Sequence, residues 1–215
     1  MFDLHAIIDC PRFETTLEKS ALTFPRGRIE AIDAWLAGFA PSPVPHIVHT
    51  LGFVGSGKST VKKQFLAENA HYMPLGFDAV MESFAEYRHD FDTLGAQAAF
   101  ERWELPARAL GYEILGAAID RHLNIMFENS GTRADHVALL ARLKGMGWRV
   151  TILDTLCDPR IALQRARARP EARWFPDSYV FERKAAIDAL KPLYREIADE
   201  WLAFDTSGAI PKRAE

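Results

Sequence analysis

The sequence has little of what marks several large classes of protein. Its two cysteines, Cys10 and Cys157, stand far apart and outside any metal-ligand spacing, so we expect reduced, inert thiols rather than a disulfide framework or a zinc site. No apolar run approaches the roughly 20 residues of a membrane span. The first residues lack the basic start and long apolar stretch of a secretory signal. These absences predict a cytoplasmic protein that does not bind membranes.

The charge is also nearly balanced. Lysine and arginine number 26, aspartate and glutamate 29, and the net charge is −3, which predicts no strong electrostatic affinity for nucleic acid. Hydrophobic residues make up 48% and charged residues 26% of the 215 positions, as in ordinary globular proteins. This length and composition suit one α/β domain with a large core, with at most an added arm.

Against this plain background, residues 52–59 read GFVGSGKS, and they fill every fixed position of the P-loop pattern G-x-x-x-x-G-K-[ST]. Glycines let the backbone curl so that N–H groups surround phosphate oxygens, and the lysine brings a positive charge to the β- and γ-phosphates. The serine hydroxyl of Ser59 is small enough to enter the coordination shell of Mg²⁺. The predicted nucleotide-binding residues are Gly52, Gly55, Ser56, Gly57, Lys58, Ser59 and Thr60.

The flanking sequence supports a true P-loop, because a β-branched strand at 46–51 precedes it and a helix reaching about Asn69 follows it. Alternating patterns continue to the end of the chain. Further strands are predicted at 71–77, 123–127, 148–153 and 201–204, and further helices at 79–89, 96–121, 135–146, 159–169 and 178–200. The pattern predicts a P-loop NTPase fold: a three-layer α/β/α architecture with a mostly parallel five-stranded sheet. Residues 1–45 are predicted as a helical arm packed on the core, and residues 46–215 as the catalytic domain.

Polar residues follow the predicted strands, and in parallel sheets these positions gather at one edge. Asp78 follows the second strand, where a carboxylate can accept the proton of an acceptor hydroxyl opposite the P-loop; helix capping is the alternative. Glu128 ends the third strand and can hold the acceptor or a Mg²⁺-bound water. The segment NSGTR at 129–133 leads into a helix, so Arg133 can meet an anionic substrate; capping by Ser130 or Thr132 is the simpler reading.

An arginine-rich stretch follows the fourth strand. Residues 160–173 contain five arginines, and a charge run of this kind is often only a solvated helix face. After a strand of a P-loop fold, it predicts instead a lid that closes over the transferring phosphate, since arginine neutralises charge with a rigid, permanently charged fork. Arg165 and Arg173 are the predicted lid pair, and Arg160 competes with Arg165 for the first position.

Together, the P-loop, Asp78, Glu128 with the following GTR, the stretch LKGMGWRVTIL at 143–153 and the arginine lid resemble the zeta-toxin family of P-loop kinases, over residues 46–208. The resemblance implies phosphorylation, by ATP or GTP, of the 3′-hydroxyl of UDP-N-acetylglucosamine or a related sugar nucleotide. It implies that Lys58 and the lid arginines stabilise the γ-phosphate and that Asp78 activates the sugar hydroxyl. It also implies that Glu128, Thr132 and Arg133 contact the acceptor. The family's Glu-Gly-Thr-x-Arg is stretched in this sequence, so those acceptor contacts differ.

The leading hypothesis is an ATP- and Mg²⁺-dependent small-molecule kinase with a hydroxyl acceptor, such as a sugar nucleotide. Two alternatives stay open: a nucleoside or nucleoside-monophosphate kinase, and a nucleotide-binding regulatory module without transfer chemistry. The predicted partners are ATP and a small acceptor, with no nucleic acid, and neither toxicity nor an antitoxin follows from the fold.

Overall fold

The computed structural model describes residues 2–11, 28–169 and 175–214. Its sheet is built around the strand that carries the P-loop. The strands are β1 His46–Leu51, β2 Met73–Gly76, β3 Ile125–Glu128, β4 Arg149–Leu156, β5 Glu200–Asp205 and β6 Lys212–Arg213. Their order is β2-β3-β1-β4-β5-β6. β1 to β5 are parallel and β6 is antiparallel to β5. All six residues of β1 are buried, as expected for a parallel strand covered on both faces.

One helix precedes β1, and the others lie between successive strands in the sequence. They are α1 Arg28–Leu36, α2 Lys58–Glu68, α3 Phe77–Ser83, α4 Ala85–Leu94, α5 Ala96–Asp120, α6 Ala134–Gly145, α7 Pro159–Arg167 and α8 Ser178–Ile197. A short 3₁₀ turn covers Leu4–Ala6. The predicted P-loop α/β architecture is therefore confirmed. Among the described residues, no helix has both the length and the hydrophobicity needed to cross a bilayer.

Three details differ from the prediction. The sheet has a sixth strand, whose two residues are too few to give a periodic signal. The helix predicted at 79–89 starts earlier, at Phe77, and is divided into two helices at Phe84. The division arises because the buried Phe84 adopts an extended conformation and packs its ring 5.6 Å from that of Trp103. The last two helices are shorter than predicted, since α7 ends at Arg167 and α8 at Ile197.

Parts of the first 45 residues contact the body of the fold. Leu4, Ile8 and Leu36 are buried in the main hydrophobic cluster. The indole Nε1 of Trp35 donates a hydrogen bond of 3.0 Å to the carbonyl of Pro74 in the edge strand β2. A proline is tolerated there because its nitrogen faces the open side of the edge strand, where no neighbouring strand needs a hydrogen-bond donor. Its carbonyl accepts the hydrogen bond that attaches α1 to the sheet. The division into an arm at 1–45 and a domain at 46–215 stays a prediction.

Candidate active site

The P-loop connects the end of β1 to the start of α2, and two glycines give it its curl. Gly55 has φ +77° and Gly57 has φ +92°, in the left-handed region that glycine enters most easily. A Cβ atom at Gly55 would lie 2.0 Å from the backbone carbonyl oxygen of Ala162 in α7. The loop is therefore packed directly against the arginine-rich helix, and glycine at position 55 is required by space as well as by φ.

Side chains from β4 and from the loop after β5 form hydrogen bonds with the P-loop and its flanking residues. Thr155 Oγ1 donates to the Leu51 carbonyl at 2.8 Å and lies 2.9 Å from Ser56 Oγ, which then acts as the donor between the two hydroxyls. Thr206 Oγ1 donates to the Ser56 carbonyl at 2.7 Å. Ser56 is fully buried, so the hydroxyl of this predicted nucleotide-binding residue points into the protein.

Lys58, the first residue of α2, folds back over the loop. Its Nζ donates to the Phe53 carbonyl at 3.0 Å. Burial lowers the pKa of this ammonium, while the nearby carboxylates of Glu128 and Asp78 act in the opposite direction. The cation is thus held above the loop in the position from which the motif's lysine reaches phosphate.

Glu128, at the end of β3, reaches across to α2. Its Oε1 accepts a hydrogen bond of 2.7 Å from Ser59 Oγ, and its Oε2 forms an ion pair with Lys62. Burial favours the neutral acid, but the charge and hydrogen bond of Lys62 outweigh it, and the pKa of Glu128 is lowered. The carboxylate is therefore ionised and fixed beside Ser59.

A hydroxyl is a hard oxygen donor of the kind that Mg²⁺ prefers, so Ser59, held in place by Glu128, fits the ion that a P-loop fold implies. Across residues 2–11, 28–169 and 175–214, no group of three or more His, Cys, Asp or Glu side chains is placed to hold a metal. An ion bound through Ser59 would consequently take most of its ligands from phosphate and water.

A cavity of about 390 Å³ opens in front of the P-loop, between α3, α5, the segment after β3 and α8. It brings together residues that are distant in the sequence. Its basic residues are Lys58, Arg108, Arg133, Arg169 and Arg183, and its acidic residues are Asp78, Glu104 and Glu128. Asp78 is exposed and lies in the first turn of α3. The cavity therefore joins the P-loop to a chamber in which basic side chains outnumber acidic ones.

The sequence profile of a family described as "AAA domain" matches residues 47–196. The chain belongs to this family. No curated protein sequence matches it. The fold is shared with the PezAT chromosomal toxin–antitoxin system of Streptococcus pneumoniae, at 14% identity and a TM-score of 0.67, covering 94% of this chain and 80% of the other.

The fold is also shared with the AvrRxo1-ORF1:-ORF2 structure with ATP, at 17% identity and a TM-score of 0.58, covering 93% of this chain but 63% of that one. Shikimate kinase from Acinetobacter baumannii aligns at 21% identity with a TM-score of 0.44, over 74% of this chain and 83% of the enzyme. The overlap with the toxin–antitoxin structure and with the AvrRxo1-ORF1:-ORF2 structure confirms the resemblance to zeta-toxin-like P-loop kinases at the level of the fold.

In this AAA-domain chain, the predicted acceptor residues lie on the cavity wall but are not equally available. Arg133 directs its guanidinium to the Asp135 carboxylate, with Nε at 2.9 Å from Oδ1, and to the Asp9 carbonyl at 2.6 Å. The hydrogen bonds to Asp135 raise the pKa of Arg133 against the effect of burial. Thr132 Oγ1 lies 3.0 Å from Ser130 Oγ and accepts a hydrogen bond of 3.1 Å from Arg183.

The predicted lid pair has a different outcome. Arg165 donates to the carbonyls of Thr206, Ser207 and Gly208 at 2.6, 2.9 and 2.7 Å, so it ties α7 to the loop after β5 and does not line the cavity. Arg173 lies outside the described residues. Of the four arginines of the run that the structure describes, Arg169, two residues beyond the end of α7, lines the cavity.

The sequence analysis did not identify the residues that α5 and α8 contribute to the cavity. Arg183 stacks over the ring of Tyr179 at 4.7 Å, and Arg108 forms an ion pair of 2.9 Å with Glu104. Both pairs have i,i+4 spacing, which places them on one helix face. That spacing is visible in the sequence, but it does not show that the two faces meet at one cavity.

Proposed function

We propose that this protein is an ATP-dependent kinase that transfers the γ-phosphoryl group to a hydroxyl of a small acceptor bound in the 390 Å³ cavity. One observation carries the proposal: Lys58 and Asp78 line the same cavity. A P-loop that only binds nucleotide requires no chamber in front of the phosphates, whereas phosphoryl transfer requires an acceptor in line with them. The ATP in the AvrRxo1-ORF1:-ORF2 structure supports ATP as the donor.

The residues divide the work by position. Lys58 and Arg169 spread the charge that develops on the moving phosphoryl group. Asp78 accepts the proton of the acceptor hydroxyl. Ser59 would hold Mg²⁺, which when bound neutralises phosphate charge. These roles leave Arg165 as a support of the loop after β5, because its donors are already engaged by three carbonyls.

The composition of the cavity favours an acceptor that is itself an anion. Four arginines line it, and Arg183 is oriented by Thr132 and Tyr179 toward the acceptor side. One guanidinium group can donate two parallel hydrogen bonds to two oxygens of the same phosphate. A sugar nucleotide, as the zeta-toxin resemblance implies, offers both the hydroxyl and the phosphates. A nucleoside monophosphate offers them too and is the second candidate, supported by the same arginines.

An acceptor screen tests the proposal. The protein is incubated with ATP and Mg²⁺ and with sugar nucleotides, nucleosides, nucleoside monophosphates or a cell extract, and products are identified by mass spectrometry as a gain of one phosphoryl group. We expect a phosphorylated product with an anionic acceptor. The variant Asp78→Asn should form it at least about 10²-fold more slowly while binding ATP normally.

The matched control is Asp92→Asn, which removes an exposed carboxylate on α4, away from the cavity, and should leave the rate unchanged. Binding of ATP without any phosphorylated product would support the regulatory module and contradict the kinase. Transfer at the same rate in Asp78→Asn and in the parent would exclude Asp78 as the base.

A further inference from the structure

Two side chains of α2, the helix after the P-loop, bind Glu128. Ser59 belongs to the P-loop motif, and Lys62 does not. Ser59 and Lys62 stand three residues apart on α2 and therefore share a face. Ser59 donates to one carboxylate oxygen of Glu128, and Lys62 pairs with the other. The Lys62 and Glu128 side chains are 15% and 16% exposed, so this ion pair is shielded from the solvent that weakens surface pairs.

The direction of the Ser59 hydrogen bond matters for a metal ion. A hydroxyl has one hydrogen and two lone pairs. Because its hydrogen is given to Glu128, the lone pairs of Ser59 remain for a cation. Glu128, in contrast, has both oxygens engaged. The arrangement is one in which the serine ligates an ion and the glutamate orients the serine.

We propose that Lys62 is a positioning residue that keeps Glu128 on the Ser59 hydroxyl and prevents the carboxylate from ligating the ion directly. The inference rests on the proposed function, since it concerns the metal of a nucleotide-bound P-loop. Without Lys62, a buried carboxylate beside Ser59 would become a strong ligand for a divalent ion, and the repulsion between the ion and the ammonium would vanish. Lys62 thereby ensures that the ion binds together with the nucleotide and does not bind to the empty site.

The chain offers a matched control in the next residue. Lys63 lies on the same helix and carries the same charge, but it is exposed, whereas the Lys62 side chain is largely buried against Glu128. Lys62→Met and Lys63→Met therefore change the net charge equally, but only Lys62→Met removes the contact with Glu128. A general electrostatic effect of losing one lysine would appear in both variants.

Binding of Mn²⁺ to the protein, measured by electron paramagnetic resonance without nucleotide, tests the proposal. We expect weak binding in the parent and in Lys63→Met, and at least about tenfold tighter binding in Lys62→Met. Lys62→Arg should behave like the parent, because it restores the ion pair. Lys62→Gln carries the same expectation as Lys62→Met should the methionine variant be unstable. The gain should disappear in Lys62→Met/Glu128→Gln, which removes the freed carboxylate.

Equal Mn²⁺ affinities in Lys62→Met and Lys63→Met would overturn the inference, as would a gain that persists in the double variant. A second measurement, Mn²⁺ uptake by the parent in the presence of ATP, separates this failure from failure of the proposed function. If ATP brings no Mn²⁺ to the parent, the P-loop does not act as proposed and the role of Lys62 is refuted with it. If ATP does bring the ion, the affinities of the two variants decide the inference alone.

Discussion

The two sides of the candidate active site are built in different ways. The phosphate side comes from one continuous stretch, residues 52–60, whose shape is fixed by two glycines with positive φ and by hydroxyls beneath the loop. The acceptor side is assembled from α3, α5, α8 and the segment after β3. The first is a local structure, and the second exists only once distant helices are packed together.

This difference separates what each side can specify. The shape of the phosphate side is determined by the spacing of residues along the chain, and it suits the triphosphate group of any nucleoside triphosphate. The acceptor side depends on which faces of α5 and α8 turn inward, so its chemistry differs between proteins that share the fold. Changes on the phosphate side should therefore abolish transfer to every acceptor, whereas changes on the acceptor side should alter which acceptor is used.

The largest effect is expected for Lys58→Ala. Removal of the cation held above the loop should lower the transfer rate by about 10²–10³-fold for every acceptor, the usual loss when one electrostatic donor to a transition state is removed. The fold should persist, because within the described part of the chain the Nζ atom forms one hydrogen bond, to the Phe53 carbonyl. Steady-state rates and thermal melting measure the two effects. Lys63→Ala is the control, and equal losses in both variants would refute the role of Lys58.

A smaller and more selective effect is expected for Arg183→Ala. Loss of a charged hydrogen bond of about 1.5–3 kcal/mol should raise the KM for the acceptor about 10- to 100-fold and leave the KM for ATP unchanged. Arg133→Ala is the comparison. Its guanidinium is bound by Asp135 and by the Asp9 carbonyl, so its loss should lower the melting temperature more than the acceptor affinity. The opposite pattern in the two variants would show that Arg133 is the anion-binding residue.

The same contrast explains which parts of the fold and of the candidate site could be predicted from the sequence. The P-loop and the succession of β1 to β5 along the chain followed from a motif and from hydrophobic periodicity, which are local signals. The position of Arg165 did not, because its contacts run to the loop at 206–208, some 40 residues away along the chain. Arg183 was missed for the same reason: its i,i+4 partner Tyr179 is visible in the sequence, but the cavity that it faces is formed by three other elements.

The smallest effect concerns pH and a histidine in the acceptor wall. His136 is fully buried, and its Nε2 lies 3.0 Å from the Tyr112 hydroxyl. Burial lowers its pKa to about 4, with Asp135 opposing and Arg133 and Arg108 reinforcing the shift. The imidazole is neutral in the folded protein, whereas the unfolded chain takes up a proton below about pH 6.5.

Above pH 6.5, His136 is neutral in both states and does not affect the free energy of unfolding. As the pH drops from 6.5 toward 4, the unfolded chain binds the proton first, so the free energy of unfolding falls by at most about 1.4 kcal/mol per pH unit. His136→Gln should flatten the decline of the urea midpoint between pH 6.5 and 5. The dependence should not vanish, because burial also lowers the pKa of His46, at the start of β1, to about 4. His89→Gln, an exposed histidine on α4, should leave the slope unchanged. Parallel slopes in His136→Gln and the parent would refute a contribution of His136 to the pH dependence of stability.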